Sequence, residues 1–195
     1  MWTRVPRRVW PEACLLAGLC AASGPLPADV RRTVDPETGL LGWKLAQAGV
    51  ELELIQRLPD QTRAFLMARG FSRPVADALA RACIFQTIFR NTGSSAARVG
   101  LRDWEIRQGD ARRPLRLKED WDRSWTNEQV SKPARLAFRW ATFPTAQTFQ
   151  TGDYNWGMIS FGPPPGTRFD LHVVWHAGGK THRIWMNDLI CAEDR

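Results

Sequence analysis

Residues 169–186 read F-D-L-H-V-V-W-H-A-G-G-K-T-H-R-I-W-M, two alternating arms about a Gly178-Gly179 pair, and hold all three histidines of the chain. Alternation along both arms predicts a β-hairpin. The two glycines supply the positive φ angles that a two-residue turn requires. Such a turn sets His176 opposite Thr181, Trp175 opposite His182, Val173 opposite Ile184 and Leu171 opposite Met186. One face is then Leu171, Val173, Trp175, His182, Ile184 and Met186, a coherent apolar surface. The other is His172, Val174, His176, Thr181, Arg183 and Trp185. A three-residue turn over 178–180 shifts the pairing by one and gathers His172, His176, His182 and Met186, at the expense of the core face. The apolar pattern favours the shorter turn, which leaves only His172 and His176 on one face.

Outward from the hairpin, the preceding chain is rich in strand and turn signals. Gly162-Pro163-Pro164-Pro165-Gly166 cannot join a sheet ladder internally and reads as a stiff connection. Residues 148–151 and 154–161 flank Gly152-Asp153 and predict a second hairpin. Leu136, Phe138 and Trp140 alternate with Ala137, Arg139 and Ala141, a strand pattern stopped by Pro144. The run 84–93, I-F-Q-T-I-F-R-N-T-G, predicts an interior strand, and 99–106 an irregular one. Six or seven short strands with Gly/Pro turns predict an immunoglobulin-like antiparallel β-sandwich over 83–195. Ahead of it, 29–82 is expected to hold an extended or loosely packed arm to residue 47 and a strand from Val50. Two short helices follow, the first capped by Asp60 and the second by Ser72, with Val75, Leu79 and Ala82 on the buried side of the second.

At 195 residues the chain suits one domain of ordinary size, and 44% hydrophobic with 24% charged residues is a globular composition. Arg4, Arg7 and Arg8, the apolar stretch 13–22 and the small residues that follow it predict a secretory signal over 1–28. Without that leader, Cys83 and Cys191 are the remaining cysteines, and in an oxidising compartment they are expected to pair. Closing a loop of about 100 residues stabilises a fold by roughly 4–5 kcal/mol in the chain-entropy model. The expected location is periplasmic or secreted, with no transmembrane segment in the mature chain. Removing the leader lowers the net charge from +7 to +5, and the arginines of 98–123 are interleaved with carboxylates. A solvated mixed-charge face, rather than nucleic-acid binding, is the expectation.

Function follows less directly. The chain lacks a Gly-x-Ser-x-Gly elbow, a phosphate-cradling glycine loop and a His-Glu-x-x-His pair. The expectation is an exported, non-enzymatic binding or accessory protein with a periplasmic protein partner, acting through loops on a rigid sandwich. The first alternative is copper binding through His172, His176, His182 and Met186 or Met158, since imidazole and thioether suit that metal. The second is carbohydrate binding or processing, with Trp121 and Trp125 as a platform four residues apart. Tyr154 and Trp156, next to the Gly152-Asp153 turn, complete the candidate ligand surface.

Overall fold

The hairpin takes the register that its Gly-Gly turn dictates, and the sheets are assembled around it. In a computed structural model, which describes residues 29–126 and 129–194, the strands are β1 (Asp29–Val34), β2 (Leu41–Gln47), β3 (Val50–Gln56), β4 (Ile84–Asn91), β5 (Ala97–Gly100), β6 (Glu105–Gln108), β7 (Ala111–Pro114), β8 (Ala146–Phe149), β9 (Tyr154–Ser160), β10 (Arg168–Ala177) and β11 (Lys180–Ile190). Two helices, α1 (Pro59–Met67) and α2 (Arg73–Ala80), lie between β3 and β4; two more, α3 (Lys118–Ser124) and α4 (Lys132–Ala141), lie between β7 and β8. The expected leader over 1–28, with Cys14 and Cys20, is outside the described residues. Among the described residues no helix is long and apolar enough to cross a membrane.

Two antiparallel sheets result. The first has the order β1-β2-β3-β4-β9. The second is built on β10, which pairs along one edge with β11 and along the other with β5 and β6 in turn. A single 3₁₀ turn at Leu101–Asp103 separates β5 from β6. It absorbs three residues, so Val99 lies opposite Trp175 while Ile106 lies opposite Leu171. In the hairpin, Trp175 pairs with His182, Val173 with Ile184 and Leu171 with Met186, as expected. Leu171, Val173, Trp175 and Met186 are fully buried and share one core with Trp43, Leu52, Leu54, Phe85 and Phe89 of the first sheet. Each such side chain contributes about 1.5–3 kcal/mol on burial. Cys83 and Cys191 form the expected disulfide and join the start of β4 to the end of β11.

The chain is therefore mainly β, with two antiparallel sheets, four helices and one disulfide among the described residues. Its strand order is a meander of four strands extended by β9, not the ABED and CFG sheets of an immunoglobulin domain. Several local expectations are corrected. Residues 29–47 are not a loose arm, because β1 and β2 complete the first sheet and β3 pairs with β4 along its whole length. The strands thus continue across the expected boundary at 82/83. Residues 136–141 form part of helix α4, because the Ser131 hydroxyl caps its start by accepting from the Ala134 N–H, and Pro133 occupies its first turn. Gly152-Asp153 does not close a hairpin. It carries the chain from β8, paired with β5, to β9, paired with β4 in the other sheet. Asp60 does not cap α1 but pairs with Arg63.

The helices pack together over the end of the first sheet around a second apolar cluster. Phe71, Trp125 and Phe138 meet edge to face there, with ring centres 5.2–6.2 Å apart. Arg135 of α4 holds the preceding loop by donating to the carbonyls of Asp122, Trp125 and Thr126. After α4, the chain runs beside β9: Thr142 makes a parallel bridge to Met158, and the Phe143 N–H donates to the Met158 carbonyl at 3.0 Å. Gly157 leaves room for this approach, since a Cβ there would lie 2.4 Å from the Phe143 nitrogen. Gly157→Ala is expected to destabilise the fold by about 1–3 kcal/mol, the usual range for overpacking. Urea unfolding of the two proteins measures the difference.

Candidate aromatic and arginine groove

Strand parity decides which side chains leave the core. On the paired strands β4 and β9, Phe85, Phe89 and Ile159 point inward, and the intervening pairs Gln86 with Met158, Ile88 with Trp156 and Arg90 with Tyr154 point to the outer face. Tyr154 and Trp156 are accordingly 57% and 59% exposed. The Arg90 guanidinium lies over the Tyr154 ring, 4.7 Å from its centre.

Helix α4 brings a third aromatic to this face. Ala134 and Phe138, four residues apart, turn into the helical cluster, so Leu136 and Trp140 are left on the opposite side. Helix α4 ends just before Thr142, which bridges to Met158, and Trp140 lines the same groove as Trp156. Trp140 is 81% exposed. Together the two tryptophans flank an open groove of about 330 Å³, which Phe65, Met158, Arg57 and Arg69 also line.

Its charge is one-sided. Arg57 follows β3 and extends the ladder, its N–H donating to the Ile84 carbonyl. Arg69, beyond α1, lies 3.5 Å above the Phe65 ring centre and donates to the Phe65 carbonyl. Among the described residues, neither arginine has a carboxylate partner, and the Arg57 Nε is buried with no hydrogen-bond acceptor. Burial pulls the Arg57 guanidinium below its ordinary pKa, and the charge of Arg69 adds to the effect. The Arg57 guanidinium is partly desolvated and Arg69 is exposed beside it, so an anion would meet two positive groups already held in place.

The other candidate residues are placed elsewhere. His172 lies on the outer face of the second sheet, stacked on Trp185 with 4.8 Å between ring centres and 3.6 Å from a Glu105 carboxylate oxygen. Arg107 and Arg112 also lie over Trp185. His176 contacts the Thr181 hydroxyl at 3.0 Å, whereas His182 faces the other way and stacks on Trp175. Met186 is buried in the core. No three His, Cys, Asp or Glu side chains come together as metal ligands among the described residues. Trp121 and Trp125 are 4% and 9% exposed inside the helical cluster, so neither presents a platform to solvent. A narrow cleft between the helices and β9 is lined by Thr62 and Trp121, whose Oγ1 and Nε1 are buried without partners. Its volume of about 20 Å³ holds about one water. Lys118 beside it has its pKa lowered by burial, against the opposing pull of Glu119.

The chain matches no protein-family model, no curated protein and no solved structure. The site therefore stands on its geometry. Sequence supplies Tyr154 and Trp156 but not Trp140, Arg57 or Arg69. The signal for Trp140 is Ser131-Lys132-Pro133, a helix start that turns Leu136 and Trp140 into one stripe. Nothing local marks Arg57 and Arg69, which acquire their meaning from the strand and helix that bring them together.

Burial lowers the His172 pKa; Glu105 opposes this, and Arg112 and Arg183 reinforce it. The unfolded chain therefore binds a proton at higher pH than the fold does. Stability is full above about pH 6.5 and falls as pH drops toward the folded value. His172→Gln is expected to flatten the decline of melting temperature between about pH 7.5 and 5.5, which thermal unfolding across that range checks.

Proposed function

We propose that the chain is a binding or accessory protein of an oxidising, exported compartment, which captures its ligand in the groove between Trp140 and Trp156. The observation that carries this reading is the exposure of Trp140, Tyr154 and Trp156 on one face of a sheet whose opposite face is the core. Large aromatics are usually withdrawn from water, and a group of them held open on rigid elements is the signature of a contact surface. The disulfide is compatible with an extracellular setting, because such bonds persist in oxidising compartments. Binding on a face already shaped by the fold also avoids much of the ordering cost of a flexible loop.

The Trp140→Ala, Trp156→Ala double variant separates this surface from stability. Both side chains are largely solvated, so the melting temperature is expected to stay within a few degrees of the parent. Immobilised parent protein should retain protein or saccharide from extracts of the producing cells, and the double variant should release it. Equal retention by the two proteins removes the groove as the binding surface.

A further inference from the structure

We infer that the groove takes an acidic polysaccharide, in which carboxylates are spaced along sugar rings that present flat C–H faces. This rests on the reading of the groove as a binding surface and names its occupant. Trp140 and Trp156 offer two open aromatic faces, and Tyr154 continues the row along β9. Trp156 and Tyr154 are two residues apart on one face of a strand, a step of about 7 Å, which suits a stiff chain of rings lying along β9. At one end of this row stand Arg57 and Arg69, with no carboxylate lining the groove. Arg90 stands at the other end, against Tyr154. A carboxylate lodged between Arg57 and Arg69 would accept from both guanidinium groups and relieve their mutual repulsion. Gln86, in the same groove, supplies an amide for sugar hydroxyls.

The spacing of charge separates this occupant from two others. A nucleic-acid strand carries an anion at every nucleotide and calls for a continuous cationic track. Here the middle of the face is Ile88 and Trp156, and the adjoining strand presents Glu53 opposite Ile88 and Glu51 opposite Arg90. An acidic peptide has no rings to match the aromatic row. A chain in which uronic-acid and neutral sugar rings alternate needs cations only at every second ring and fills the rest with stacking and hydroxyl contacts.

Calorimetric titration of the full chain with an oligosaccharide of alternating glucuronate and N-acetylglucosamine, cellohexaose, poly-dT and poly-glutamate tests the assignment. The alternating glucuronate oligosaccharide is expected to bind at least tenfold more tightly than each of the other three and to weaken as salt is raised. Arg69→Gln, at an exposed position, and Arg57→Gln should each reduce its affinity about tenfold, the Trp140→Ala, Trp156→Ala double variant should abolish binding, and Arg183→Gln on the other sheet should leave it unchanged. Unaltered melting temperatures exclude misfolding as the cause. The inference is overturned if the alternating glucuronate oligosaccharide does not bind, if its affinity survives the arginine changes, or if cellohexaose, poly-dT or poly-glutamate binds as well. If one of these occurs while the parent still retains cellular material that the tryptophan double variant releases, the ligand class falls and the groove stands.

Discussion

Strand β4 is fastened to the opposite sheet at both of its ends, and the spacing of the two sheets follows from that. Cys83, immediately before it, is bonded to Cys191 after β11. Asn91, its last residue, is buried, and its amide donates to the Phe149 carbonyl of β8 at 2.9 Å and to the Ser95 carbonyl at 2.8 Å. Its side-chain oxygen accepts from the Gly93 N–H, so the amide is satisfied on both sides. Between these two fastenings, Phe85 and Phe89 project into the shared core and fill the space that the ties define. A covalent tie at one end and a buried polar tie at the other leave the sheets little freedom to slide.

The groove inherits its geometry from that strand. β9 pairs with β4 over Ile84 to Arg90, and the chain leaving α4 docks on β9 beside Gly157. Trp156 is therefore placed by the sheet, and Trp140 is placed by a helix that is itself referenced to the sheet. Arg57 and Arg69 arrive from β3 and α1 on the other side. Three separated stretches of chain thus form one surface without a long loop, and the aromatic rings are held before any ligand arrives. The histidine face of the second sheet is built differently. There Arg107 pairs with Asp170, and Glu105 lies against both Arg112 and His172, around Trp185.

What the sequence disclosed divides along the range of the forces involved. The 169–186 hairpin was readable because turn chemistry and alternation agree, and a shift of one residue would expose Leu171, Val173 and Trp175 together. The Cys83–Cys191 bond was readable from the count of cysteines outside the expected leader. Gly152-Asp153 was misleading, because a turn signal marks a reversal but not whether the strands on either side of it pair with each other. In A-R-L-A-F-R-W-A, alternation and helical spacing are satisfied by the same residues, and the Ser131 cap decides between them. β1 reads D-V-R-R-T-V, an edge strand with too few apolar residues to announce itself. The cationic half of the groove has no local signature, since Arg57 and Arg69 become neighbours only through the packing of α1 against the end of the sheet.

The position of the disulfide gives the molecule an uneven response to mechanical load. Tension applied to the chain outside the bridge passes through the sulfur–sulfur bond and bypasses 84–190. Among the described elements, only β1, β2, β3 and the first two helices can be drawn out, and they carry Arg57, Phe65 and Arg69 with them. Trp140, Tyr154 and Trp156 lie inside the closed loop and would stay in place. A pulling force would therefore strip the groove of its positive charge while sparing its aromatic rings, dividing one binding surface into a part that yields to traction and a part that does not.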